Sequence, residues 1–154
     1  MNLVVKRQKR GRRMPTFDEV AEFVREQTGY CGPLTKSISL QSDIGVYGDD
    51  MSDLLTAYSD RFGISMSCYI WYFHTGEEGI NIGGLFVAPP DRRVSEIPIT
   101  VGMLQEFATL GRWDVSYPHH EVPQSRHDIR INQVIAGAFL VLLVVLVALW
   151  LIVV

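Results

Sequence analysis

Only two cysteines, Cys31 and Cys68, occur in 154 residues, too few for a disulfide framework, and they form no C-x-x-C spacing. That scarcity fits a reduced compartment, with both side chains expected as small buried apolar groups. No apolar stretch follows the basic residues of the first segment, so a secretory signal peptide is not expected. Asn2, Asn81 and Asn132 each lack a hydroxyl residue two positions on, which excludes N-glycosylation sequons. Gly79, Gly83 and Gly84 are not followed by G-K-[ST], so they make no phosphate loop. EF-hand spacing is missing around Asp49 and Asp50. No Ser/His/Asp or Cys/His set has local support. No catalytic residue, cofactor or metal ligand is therefore assigned, and the chain is expected not to be an enzyme.

The net charge of −3 hides an asymmetry. Lys6, Arg7, Lys9, Arg10, Arg12 and Arg13 crowd the first segment, and everything from Met14 onward is net acidic. Residues 1–13 read as a disordered basic arm that would be attracted to anionic lipid, with no nucleic acid expected as partner. Translation from Met14, which opens a clean helix signal, is the alternative reading of this arm.

Long apolar runs are confined to the other end. From Val134 to Val154 no residue is charged, and sixteen are Leu, Ile, Val or Phe. As a helix this stretch would be about 31 Å long, against a hydrocarbon thickness of about 30 Å. Each large apolar residue contributes about −0.3 to −0.6 kcal/mol at the membrane centre, so insertion is favourable by several kcal/mol. A core helix of a small domain could not be surrounded on every side. The lipid bilayer is thus the expected partner of Val134 to Val154, with a transmembrane helix over 132–154 resembling a tail anchor. Arg126 and Arg130 flank its N-terminal side, which predicts an inner-membrane, single-pass protein whose soluble domain faces the cytoplasm.

Residues 114–131 read as a flexible linker, polar and broken by Pro118 and Pro123, spanning roughly 20–25 Å on average. His119, His120, Glu121 and His127 invite a metal or pH-switch reading. Metal ligands need rigid supports, however, and these lie in a loop beside prolines, so plain linker is the preferred reading.

The soluble domain is assigned to 14–113. Thr16 and Glu19 have capping-box spacing, and Phe17, Val20, Phe23, Val24 and Thr28 follow at helical intervals up to Gly29. Residues 33–48 read as an ordered loop with Leu40, Ile44 and Val46 turned inward. A second helix begins at Asp49-Asp50, carries Met51, Leu54, Leu55, Tyr58 and Phe62 as its apolar stripe, and stops at Gly63. Cys68 to Phe73 is aromatic and β-prone, and Leu85 to Ala88 reads as a second extended run. A short β-hairpin and an irregular insertion both fit. A last helix follows Thr100, with Val101, Leu104, Phe107, Ala108 and Leu110 inward, Gly111 as its stop and Trp113 folding back. The fold class is mainly α.

The stretch Leu40-Gln41-Ser42-Asp43-Ile44-Gly45-Val46-Tyr47-Gly48-Asp49-Asp50, running into Met51-Ser52-Asp53-Leu54-Leu55 and Arg61-Phe62-Gly63-Ile64, resembles an acyl carrier protein. In that fold a long loop ends in Asp-Leu-Gly, and Asp-Ser-Leu opens an acidic second helix. Gly48-Asp49-Asp50, with Ile99-Thr100-Val101-Gly102-Met103-Leu104 and Gly111-Arg112-Trp113, is similar to an uncharacterised bacterial family, domain of unknown function 1493. The likeness covers about Phe17 to Trp113. It implies a small helical bundle of the carrier type. Carrier proteins attach phosphopantetheine to the Ser of Asp-Ser-Leu, and the alignment places Gly48 there, without a hydroxyl. The expected function is therefore a membrane-tethered interaction module presenting Gly48, Asp49, Asp50 and Asp53 as an acidic docking helix to a protein with a basic surface. The alternatives are a true carrier attached at Ser52, and a membrane-associated enzyme using His74 or the histidine pair.

Overall fold

The computed structural model describes residues 14–122 and 125–153; the basic arm at 1–13 lies outside them. The described chain divides into two compact units. One comprises 14–69 with Pro98–Ser116, the other Ile70–Ile97 with 117–153.

The first unit is built on three helices: α1 (Phe17–Thr28), α2 (Gly48–Phe62) and α3 (Val101–Leu110). The capping box forms at α1, where the Glu19 amide donates to Thr16 Oγ1 at 3.3 Å and the Thr16 amide donates to Glu19 Oε2 at 2.8 Å. Helical spacing then sorts the side chains. Val20, Ala21, Phe23 and Val24 of α1 meet Met51, Leu54, Leu55 and Tyr58 of α2 and Val101, Leu104, Phe107 and Ala108 of α3 in a buried apolar core. The Phe23 ring packs against Tyr58 at 6.0 Å and edge-on to Phe62 at 5.6 Å, an arrangement aromatic quadrupoles favour. The Tyr58 hydroxyl, buried with its ring, donates to the Leu104 carbonyl.

The long loop before α2 is ordered, as expected, and its geometry is a π-helical turn over Leu40–Ile44. Ser39 starts it: its hydroxyl accepts from the Ser42 amide at 3.3 Å, while its own amide donates to Asp43 Oδ2 at 2.8 Å. Gln41 is only 2% exposed, and its Oε1 accepts from the Ile99 amide at 2.9 Å and from the Ser39 hydroxyl at 3.3 Å. A buried amide satisfied in this way locks the loop to the entry of α3. Leu40 and Val46 point inward, whereas Ile44 is half-buried. Trp113 folds back, 1% exposed, between Phe107 at 4.8 Å and Tyr69 at 5.0 Å. Its amide donates to Ser65 O at 2.9 Å.

No hairpin forms among the described residues of the second unit. Among the described residues the only β-pairings are the isolated bridges Ser39 to Thr100 and Ser65 to Arg112, both in the first unit. The aromatic segment and the 85–88 run instead contribute short 3-10 turns at Trp71–Phe73, Gly83–Leu85 and Pro90–Arg93. Three factors oppose a hairpin here: Pro89 and Pro90 lack amide donors, Gly83 and Gly84 weaken any strand, and the polar partners lie elsewhere in the chain. Helix α4 (His127–Val153) completes the unit.

Three expectations need correction. Cys31 and Cys68 are exposed rather than buried; each sits in a connecting segment outside the helical stripes. Leu110 is 48% exposed, because the last residue of α3 has turned past the packed face. Residues 114–122 and 125–131 are also more ordered than their composition implied. Tyr117 and His120 pack on Phe73 at 4.9 and 5.0 Å, and α4 starts at His127, five residues before the apolar boundary expected at 132. Aromatic contacts distant in sequence hold that segment, which a periodicity argument does not see.

Candidate functional site

The four residues singled out for docking gather at the start of α2. Gly48 is buried and has φ 49°, a left-handed conformation that strains any side chain bearing a Cβ. A serine at this position would be strained before it carried anything, a local physical reason for the glycine. Asp49, Asp50 and Asp53 are exposed in the first turns of the helix, where carboxylates favour the positive end of the dipole. Spacings of three and four residues put Asp53 beside both Asp49 and Asp50. No side-chain hydrogen bond or ion pair among the described residues engages the carboxylates of these three aspartates or of Asp60. Asp50 and Asp53 also line a groove of about 380 Å³ with Gln27, Thr28, Gly45 and Val46. Ser52 is exposed one turn inside the helix, its hydroxyl 3.4 Å from the Gly48 carbonyl.

The histidines do not converge. His74 is fully buried. Its Nδ1 lies 2.7 Å from the Ile97 carbonyl, which can only accept, so Nδ1 carries the proton. Nε2 then accepts from the Tyr117 hydroxyl at 2.8 Å, and that oxygen in turn accepts the Ile70 amide at 3.1 Å. Burial lowers the His74 pKa, partly opposed by the bond to the Ile97 carbonyl. The neutral ring is thus tied on both sides to the chain that surrounds it. His120 bonds to the Pro118 carbonyl at 2.9 Å, and His127 pairs with Ser125 at 2.8 Å. No group of three His, Cys, Asp or Glu side chains among the described residues could hold a metal ion.

A polar clamp at the base of α4 went unrecognised in the sequence. Asp128 is 2% exposed; its Oδ2 accepts from Asn81 at 2.9 Å and from Arg126 at 2.6 Å. Arg126 also grips Glu77 with both terminal nitrogens, and these two carboxylates, Asp128 first, raise its pKa above the usual range. Asn132 closes the ring: its Oδ1 accepts from the Gly83 amide at 2.6 Å, and its Nδ2 donates to Asn81 Oδ1 at 2.9 Å. The Gly84 amide shares that acceptor at 2.7 Å. Gly83 is required by distance, since a Cβ there would stand 2.0 Å from the Asp128 carbonyl oxygen. The available signal was an asparagine set between isoleucines (Ile80-Asn81-Ile82) and another following Ile131.

Beyond the clamp, α4 is long and apolar enough to cross a membrane, and none of its most apolar window is buried. A family model described as a protein of unknown function (DUF1493) matches residues 16–115. No curated protein and no solved structure matches the chain.

Proposed function

The chain belongs to the family of proteins of unknown function DUF1493, and on that premise we propose that it is a membrane-tethered, non-catalytic interaction module. Helix α4 would span the bilayer. The first unit would present the start of α2 as an acidic docking face to a protein with a basic surface. The observation that carries this reading is the exposed set Asp49, Asp50 and Asp53, with no ion pair among the described residues, on a helix whose opposite side is packed. Unneutralised charge of one sign on a rigid helix steers a partner of the other sign and fixes its register. Arg130, exposed on the N-terminal side of the apolar stretch, favours a cytoplasmic position for this face.

The acyl-carrier likeness enters as part of the same reading. A long ordered loop leading to an acidic helix is the surface a carrier offers its partners, and Gly48 stands in place of the phosphopantetheine serine. The runner-up, a true carrier attached at Ser52, draws on the exposure of that hydroxyl. The burial of His74 and the engagement of both its nitrogens argue against its use as an acid or base.

Cross-linking from membranes, comparing the native chain with the Asp49→Asn, Asp50→Asn, Asp53→Asn variant, tests the docking face. The variant is expected to lose its salt-sensitive partner; an unchanged set of cross-links would remove the docking role. Intact mass after incubation with a phosphopantetheinyl transferase and coenzyme A tests the runner-up, because a gain abolished by Ser52→Ala would replace the proposal.

A further inference from the structure

The loop held by the clamp exposes large apolar side chains. Ile80 is 91% exposed, Leu85 77% and Phe86 72%. Neighbouring large apolar residues left open on one short segment mark a surface meant to be covered. The clamp fixes where that segment sits along α4. Gly83 touches the Asp128 carbonyl, and its amide is bound by Asn132. The uncharged apolar stretch begins at Val134, so at 1.5 Å per residue the contact lies about 3–9 Å from its start. Each headgroup layer is about 5–8 Å thick. The run of twenty uncharged residues from Val134 to Val153 is about 30 Å long, matching the hydrocarbon, and Arg126, Asp128 and Arg130 prevent it from sliding deeper. With α4 seated in this way, the 80–86 segment lies in the headgroup layer of the same leaflet.

We propose that Ile80, Leu85 and Phe86 form a second membrane contact, inserting into the headgroup–acyl boundary beside α4. The occupant is lipid rather than a protein because the loop that carries the patch is hydrogen-bonded to the first turns of α4, and the apolar side chains of α4 that follow those turns are themselves exposed. The polar groups of this loop are consumed inward: Asn81, the Gly83 amide and the Gly84 amide all bond within the clamp. What faces outward is therefore almost purely apolar, which suits the boundary better than water. The contact would fix the rotation of α4 about its own axis, since only one azimuth lets the loop enter. This inference rests on the reading that α4 spans a bilayer.

The test uses the full chain with Cys31→Ser and Cys68→Ser, reconstituted in vesicles of phosphatidylcholine with a minority of phosphatidylglycerol. A bimane probe is placed singly at Phe86→Cys, Ser37→Cys and Leu142→Cys, all exposed positions, so the fold is not at stake. Quenching is read with a nitroxide carried near the top of the lipid chain and with aqueous iodide. The probe at 86 is expected to shift to the blue and lose intensity to the lipid nitroxide while resisting iodide, and the probe at 37 to do the reverse. If 142 is lipid-quenched but 86 answers only to iodide, the second contact is wrong and the membrane span stands. Protection of 86 from both quenchers means a protein cover and also overturns the proposal. If 142 itself is open to iodide, the span fails and the inference falls with it.

Discussion

The two units hold together by different physics. In the first, three amphipathic helices bury Val20, Phe23, Leu54, Tyr58, Leu104 and Phe107 in one core, and polar groups serve at the margins, at the capping box and at Gln41. In the second, short turns offer little apolar burial. Order there comes from His74, Tyr117 and the Asn81–Arg126–Asp128–Asn132 clamp. Apolar packing is non-directional and spreads its cost over many contacts. A hydrogen-bonded clamp is directional and fails when one member is removed. The first unit should therefore resist point changes at its surface, and the second should be sensitive to individual polar residues.

The largest effect is expected at the centre of the first unit. Phe23→Ala removes a ring that is 1% exposed and should cost about 3–5 kcal/mol, read by denaturant unfolding of the full chain in mild detergent. Protection of the Gly83 and Gly84 amides from hydrogen exchange should persist in this variant; if it is lost in step, the units are not separate cooperative bodies.

Next comes the close approach in the second unit. Gly83→Ala places a methyl against the Asp128 carbonyl and should cost about 1–3 kcal/mol locally, as overpacking does. Amide exchange at 83 and 84 should accelerate while the first unit's unfolding midpoint stays put. Unaltered exchange would mean that the loop and α4 part readily in solution.

A pH ramp separates the units more gently. The folded pKa of His74 lies below the value near 6.5 of an ordinary imidazole, so the unfolded chain takes up its proton first as pH falls. Its stabilising contribution is complete above about pH 6.5 and declines as the medium becomes more acidic, until the folded pKa is passed. His74→Gln, compared with the native chain across pH 5–8 by thermal unfolding, should flatten that part of the profile. Parallel profiles would show that His74 is not held neutral.

The smallest change in stability is expected where binding should change most. Replacing Asp49, Asp50 and Asp53 by Asn removes dipole-favoured charges at an exposed helix start, a loss offset by relief of the like-charge repulsion between Asp53 and the aspartates three and four residues before it. A thermal shift as large as that of Gly83→Ala would mean that these carboxylates serve the fold and not a partner.

Much of the first unit is legible in the sequence because its information is local. Thr16 and Glu19 cap α1, residues three and four apart share a face, and glycines 29, 63 and 111 follow the last helical residues. The aspartates at the start of α2 are legible for the same reason: charge at a helix start is a short-range pattern. The second unit is far less legible, since its decisive pairs are Asn81 with Asp128 and Asn132, and His74 with Tyr117. These are 43 to 51 residues apart. No period of two or 3.6 encodes such pairs, so the aromatic run could be mistaken for a strand and 114–131 for an idle linker.

The sequence alone determined the three helices of the first unit, the apolar helix and the family, because periodicity, caps and the sheer length of an uncharged run depend only on neighbours along the chain. Tertiary structure decided that Gly48 is left-handed, that both cysteines face outward, and that an exposed apolar loop is fastened to the base of α4. Each of these depends on which distant atoms come within hydrogen-bonding or van der Waals range, and only the folded chain settles that.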